Sequence, residues 1–251
     1  NNPLASPNII GVNAGSGLFV LLFACIAPHA LGMSAAAAFL GALASALLVF
    51  FVSAYAGASR LTIVLAGMAL TAIFTAGMNT VLIFNPDAYV NSSGFLVGSL
   101  SGVMMSELAI PGAMICAGLL LAAGQGTRLN ILSLGDEGAH ALGLNVNRTR
   151  LALLSLAALL AGAAVCFSGL VGFVGLIVPH VVRYVAGHDN RRVLALSPIV
   201  GAILVCACDT IARTLFAPFE IPVGICMALV GGPFFIYLIL HSRKGSVDGR
   251  A

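Results

Sequence analysis

RLALLSLAALLAGAAVCFSGLVGFVGLIVPHVVR, residues 150–183, carries an arginine at each end and no Asp, Glu, Lys or Arg between them. Flanking arginines of this kind anchor an apolar segment at the inner face of a bilayer, so an even number of crossings is expected between Arg150 and Arg183. The interval spans roughly 50 Å as helix at about 1.5 Å per residue. Two full crossings need about 60 Å. One full helix followed by one short returning helix fits the length. Gly169, Gly172 and Gly175 supply the break at the turn, where irregular backbone has to be buried in protein or face a cavity.

The rest of the chain has the same character. Hydrophobic residues make up 60% and charged residues 8%, with a mean hydropathy of +1.10. Soluble domains carry about 25% charged residues, so this chain cannot cover its own surface in water and takes the bilayer as its solvent. The net charge of +3 is spread over loop edges, with no basic run suited to nucleic acid. Cys25, Cys116, Cys166, Cys206, Cys208 and Cys226 all sit in apolar stretches and read as small packing residues. Cys206 and Cys208 point to nearly opposite faces of a helix, which argues against shared metal ligation. The chain begins at Asn1 rather than Met and shows no signal-peptide pattern.

Apolar spans are expected at about residues 9–27, 34–57, 61–84, 108–123, from 151, at 193–216 and at 221–240, with the short returning helix between the fifth span and the sixth. The fold class is therefore all-α, a polytopic transmembrane bundle of about eight helices at roughly 20 residues per crossing. Arg60, Arg128, Arg148, Arg150, Arg183, Arg191, Arg192, Arg243 and Lys244 fall on one set of alternating loops, which the positive-inside rule assigns to the cytoplasm. Asp87, Glu107, Glu220 and Arg213 fall on the other set. Residues 242–251 read as a polar cytoplasmic tail. Small residues four apart, such as Gly11 and Gly15 or Gly41 and Ser45, suit close helix approach in lipid.

Three features stand out from this background. Within the long polar stretch 125–150, Leu134 to Leu144 reads as a short helix. Asp136 and Glu137 occupy the first turn, where the macrodipole favours carboxylates, and Gly143 occupies the C-cap position. Such a helix either docks into a groove of a soluble partner or lies on the membrane surface. Asp209 and Arg213 stand four apart and can pair on one helix face. With Arg192 at the inner face, Arg213 lies about 31 Å away at the outer one. The pair either holds its helix in the bundle or offers Arg213 to a carboxylate on a docking partner. Finally, Pro179, His180 and Arg183 with His188 lie near the inner surface, and too few further ligands accompany the histidines for a metal site.

Several things are missing from the sequence. There is no G-x-x-x-x-G-K-[ST], no Ser–His–Asp pattern and no H-E-x-x-H, so neither a nucleotide site nor catalysis is expected in this chain. No ionisable residue before Asp209 sits near mid-membrane, where ion-coupled carriers commonly keep one. Either the pore conducts passively or a partner supplies its energy.

The motifs nevertheless resemble one family. Asn2-Pro3-Leu4-Ala5-Ser6-Pro7 with Gly11 and Gly15 resembles the N-P-L-A-x-P…L-G motif of FecCD-type permeases, the membrane subunits of iron-chelate and cobalamin ATP-binding-cassette (ABC) importers. Gly172 to His180 with Arg183 resembles their G-F-[IV]-G-L-[IV]-[IV]-P-H-x-x-R signature. Asp209 to Arg213, then Pro218, Glu220 and Pro222-Val223-Gly224, resembles D-x-x-A-R…E-[LI]-P-[VI]-G, and Gly231 with Pro233-Phe234-Phe235 resembles the last-helix motif. The order is kept over nearly the whole chain. One departure is Phe95, which stands where many members have Trp.

The resemblance implies a ten-helix subunit of which this chain lacks the first two. Residues 1–241 then form the permease domain, with a cytoplasmic coupling segment at 128–150. It also implies a homodimer with two cytoplasmic ATPase subunits and an extracytoplasmic substrate-binding protein, in the bacterial inner membrane, with no cofactor. On this pattern Gly135, Asp136, Glu137, Ala139, Leu142 and Gly143 belong to the coupling helix. Arg213, with Glu220 beside it, meets the binding protein, and about Leu65 to Val81 line the path. The implied cargo is a metal chelate, a ferric siderophore first, then haem or cobalamin. An ATP-independent channel or carrier, and a membrane scaffold without flux, are the readings of other classes.

Overall fold

The protein is described from a computed structural model covering residues 11–27, 34–56, 60–215 and 217–247. These residues form eleven helices: α1 (Val12–Ile26), α2 (Ser34–Tyr55), α3 (Arg60–Phe84), α4 (Pro86–Val97), α5 (Met105–Ala123), α6 (Gly126–Ser133), α7 (Asp136–Ala141), α8 (Val146–Ser168), α9 (Val174–Ala186), α10 (Asn190–Thr214) and α11 (Val223–Val247). The all-α membrane bundle read from the sequence is the observed architecture. Five helices, α2, α3, α5, α8 and α10, are long and apolar enough to cross a membrane, and α1, α9 and α11 contribute shorter apolar segments. These eight are the expected spans. Asn2, Pro3 and Leu4 lie outside the described residues.

The helices pack as two groups. In the first, α2 lies between α1 and α8, with α3 against α1 and α2 and α5 against α8. Its core is made of small residues: Val12, Ala42, Ala46 and Ala158 form one cluster, and Val20, Ala38 and Val165 another. Contact is closest where α1 crosses α2. A methyl group placed on Gly41 would lie 2.4 Å from the Gly15 carbonyl oxygen, so both positions need a hydrogen for the backbones to meet. In the second group α9 and α11 pack on α10, around Ile177, Cys208, Val223 and Met227.

The broken hairpin read from residues 150–183 is present. α8 spans 23 residues and α9 only 13. Between them Gly169 takes φ +66° and Phe173 takes φ +65°. The turn borders a cavity of about 290 Å³ that Asn13, Phe167 and Ser168 help to line. Its backbone is anchored by α4, because the Leu170 N–H donates to the Phe95 carbonyl at 2.9 Å. The first turn of α11 is held in the same way, with the Gly224 N–H donating to the Gly98 carbonyl at 2.9 Å. The end of α4 thus supplies acceptors to two neighbours at the points where their own helices are interrupted.

Several elements differ from expectation: α6 was not expected, and α7 is shorter than the helix read over 134–144. Residues 86–97, which lie between two expected spans, form α4, because Pro86 opens it and Asp87 sits in its first turn. α8 starts at Val146 rather than near Leu151, because the Asn145 side chain caps it by accepting from the Arg148 N–H at 3.1 Å. α11 continues to Val247, past the point where the polar tail was expected to begin.

Candidate functional site

Two polar regions lie at opposite ends of the bundle. The first is an elbow formed by α6 and α7 at the arginine-rich end. The N-cap of α7 is Gly135, at φ 96° and ψ 171°, a conformation that favours glycine. Asp136 and Glu137 occupy the first turn. Gly143, at φ +78°, ends the helix. Its N–H donates to the His140 carbonyl at 2.9 Å, and the Leu144 N–H donates to the Ala139 carbonyl at 3.0 Å. This is a Schellman cap. The helix is six residues long, and its position is set by the bonds at its ends. Asp136 pairs with Arg150 on α8 at 2.6 Å, which also offsets a basic residue near the start of that helix.

Residues expected to act together in this elbow divide into two sets. Ala139 is fully buried and serves packing. Asp136, Glu137, Leu142 and Gly143 are exposed. Leu134 is also exposed, at 65% against 61% for Leu142. Leu134, expected as the first residue of the short helix, lies just before α7; with Leu142 after the helix and Asp136 and Glu137 in its first turn, the elbow exposes both apolar and anionic groups.

α6 is fastened to the α9–α10 loop. Asn130 Nδ2 donates to Asp189 Oδ1 at 2.7 Å, and Asn130 Oδ1 accepts from the Asn190 N–H at 2.9 Å. Asp189 also caps α10 by accepting from the Arg191 N–H at 3.0 Å. The Asn130 amide first, and the Arg191 N–H next, hold the Asp189 carboxyl below its ordinary value, with the charges of Arg191 and Arg192 adding to this. A depressed carboxyl stabilises the fold above its unfolded value, about 3.9. That contribution is lost as pH falls through the lower folded value. Hydrogen exchange at the Asn190 amide, corrected for intrinsic rate, is therefore expected to show equal protection at pH 7 and 5 and a loss only below about pH 3.9. A loss already between pH 7 and 5 would contradict the assignment.

The second region lies at the other end, where α10 finishes. Arg213 Nε donates to Asp209 Oδ2 at 2.8 Å, four residues back on one helix face. Ser101 Oγ donates to Glu220 Oε2 at 2.5 Å. Asp209, Arg213, Glu220, Ser99 and Pro222 share one shallow depression. Arg213 retains 40% of its side-chain exposure there, so the guanidinium is paired and still open to a second carboxylate.

Pro179 and His180 belong to neither region. Pro179 lies inside α9. The His180 ring meets Phe234 of α11 edge-on at 6.1 Å, and Arg183 Nη2 donates to Asn190 Oδ1 at 3.4 Å. Among the described residues, no three His, Cys, Asp or Glu side chains converge on a point.

This architecture is that of a helical permease. It superposes with a TM-score of 0.88 and 30% identity on an ABC transporter described as of metal-chelate type, solved in an inward-facing conformation, over 96% of this chain and 77% of that one. Residues 1–241 match the profile of the FecCD transport family, and the chain belongs to that family. It is 39% identical over 249 residues to the hemin transport system permease protein HmuU of Yersinia pestis, covering 97% of this chain and 75% of the relative. It is 37% identical over 244 residues to the Fe(3+)-citrate import system permease protein YfmD of Bacillus subtilis, covering 97% and 72%.

Proposed function

We propose that this chain is the permease subunit of an ATP-driven importer in a bacterial inner membrane, carrying a ferric siderophore from the outer side to the cytoplasm. Two copies face each other across the path, with residues of α3 such as Leu65, Met68 and Ile73, all exposed in a single chain, toward it. Two cytoplasmic ATPase subunits engage Gly135 to Gly143, and a substrate-binding protein engages Arg213 and Glu220 from outside. The subunit itself catalyses nothing. The observation that carries this reading is the α6–α7 elbow, which exposes Leu134, Glu137 and Leu142 at the arginine-rich end and is tied to α8 by Arg150–Asp136 and to α10 by Asn130–Asp189. A helix that only lay on the membrane surface would need neither tie. Likeness to relatives named for ferric citrate import favours an iron chelate. Likeness to a relative named for hemin transport makes haem the second reading.

The test is uptake into proteoliposomes holding the chain in its full native form with its ATPase and binding protein. Ferric siderophore, haem and cobalamin are offered in parallel, with ATP or a non-hydrolysable analogue inside. Accumulation of the siderophore that needs ATP hydrolysis supports the proposal. ATP-dependent accumulation of haem or cobalamin instead replaces the cargo, and accumulation without hydrolysis moves the chain to the channel or carrier class.

At the outer end, Arg213→Glu is expected to weaken docking of the binding protein about tenfold, since it puts a carboxylate against Asp209 and against the partner's carboxylate. Asp209→Asn keeps the positive charge and is expected to stay within about threefold of the original affinity. Titration of the labelled binding protein onto the complex, at low and high salt, measures both. Equal affinities for Arg213→Glu and the unaltered chain would remove Arg213 from the interface.

A further inference from the structure

The α6–α10 junction contains more than a helix cap. Asn130 presents both halves of its amide to complementary groups, with Nδ2 on the Asp189 carboxylate and Oδ1 on the Asn190 N–H. The opposite rotamer would set its oxygen against the carboxylate and its NH2 against an N–H, so the geometry admits one orientation. One turn earlier on the same helix, Thr127 Oγ1 accepts from Arg191 Nε and Nη2 at 3.1 and 2.8 Å. Beside it, a methyl group on Gly126 would lie 2.8 Å from the Arg191 Cα, so the two backbones touch. Three consecutive points thus join α6 to the first residues of α10. Asn190 then passes the connection to α9 by accepting from Arg183. On the other side of the elbow, α7 begins after Gly135, at φ +96°.

We infer that Asn130 is a positioning residue that locks α6 to the α9–α10 loop, so that displacement of α7 is delivered to α9 and α10 through Asp189 and Asn190. The inference rests on the reading of α7 as the helix that receives motion from an ATPase. The lock is chemically directional: an amide donor on one side meets a carboxylate on the other. Asn130→Asp puts two carboxylates face to face and breaks it. Adding Asp189→Asn restores it with the donor and acceptor exchanged. Asp189 Oδ1 accepts from both Asn130 and the Arg191 N–H, so the new Asn at 189 has to turn about its last side-chain bond, giving its NH2 to the new Asp at 130 and its oxygen to the Arg191 N–H, while the new Asp leaves the Asn190 N–H an acceptor.

The experiment compares the unaltered complex, Asn130→Asp, Asn130→Ala and the exchange Asn130→Asp/Asp189→Asn in proteoliposomes. Chelate accumulated per ATP hydrolysed is the readout, and each preparation is normalised to assembled complex. The ratio is expected to fall at least about fivefold in both single variants, in line with the loss of an inter-site coupling. It should return to within about twofold in the exchange, where the paired changes compensate. A residue that merely stabilised the bundle would lower the amount of complex and leave the ratio of the remainder unchanged, and that result overturns the inference. So does a ratio in the exchange that stays at the level of Asn130→Asp, which decides the matter even where Asn130→Ala fails to assemble. Absence of ATP-dependent uptake in the unaltered complex overturns the importer reading together with this one. Normal uptake there with unchanged ratios in the variants overturns this one alone.

Discussion

Gly224→Ala is expected to leave almost no folded chain in the membrane and no measurable uptake. A methyl carbon at that position would lie 1.9 Å from the Val97 carbonyl oxygen and 3.1 Å from that of Gly98. Nothing in this contact is a flexible side-chain end; both sides are backbone. The start of α11 would have to move off α4 by more than an ångström, and the Gly224 N–H would lose the Gly98 carbonyl that it meets at 2.9 Å. Overpacking costs about 1–3 kcal/mol. An orphaned backbone group at membrane depth costs several more, against a total stability of about 5–15 kcal/mol. Gly94→Ala is the control. It lies within α4, a methyl group there meets nothing within 4 Å, and the gain in helix propensity is about 0.5–1 kcal/mol. Thermal unfolding of both variants in detergent, followed by far-ultraviolet circular dichroism, separates them. A midpoint for Gly224→Ala within about 2 °C of the unaltered chain would refute the argument.

Gly143→Pro is expected to lower ATP-driven uptake by about 10- to 100-fold, within the range of an inter-site coupling. Proline fixes φ near −65°, whereas Gly143 sits at φ +78°. The substitution also removes the N–H that donates to His140, and it disfavours the helical conformation at Leu142. The end of α7 then unwinds, and the exposed Leu142 leaves its place beside the acidic turn. Gly143→Asn tests whether the conformation is what matters, because asparagine enters the left-handed region readily. It is expected to keep uptake within about threefold. Binding-protein affinity should be the same in all three, because Arg213 is at the opposite end of the bundle. Full uptake by the proline variant would remove α7 from the coupling path.

Much of this molecule was legible because lipid imposes simple rules. Apolar runs of sufficient length marked the eight spans, and two arginines with three glycines between them marked the broken hairpin. α4 is legible in principle, because Asn85-Pro86-Asp87 is a helix-opening signature, but it falls in the interval between two expected spans and lacks their apolar length. The start of α8 was hidden because the polar Asn145 cap lies inside a long polar stretch. The ties of the elbow were not legible at all. Asn130 and Asp189 are 59 residues apart, neither belongs to a recognisable pattern, and only the fold makes them neighbours. The burial of Ala139 was invisible for a similar reason, since a six-residue helix is too short to display a periodic face.

The two packing groups also differ in when they can form. α9, α10 and α11 follow one another in the chain and touch one another, so each finds its neighbour as soon as it leaves the ribosome. α2 is different. It packs against α1 at once, but its other main partner is α8, which is made only after α3 to α7. Until then the small residues that meet α8, among them Ala42 and Ala46 opposite Ala158, face whatever surrounds the growing chain. The half-built subunit therefore has a defined vulnerable interval, from the completion of α2 to the arrival of α8, in which insertion factors and proteases have a bare small-residue face to recognise.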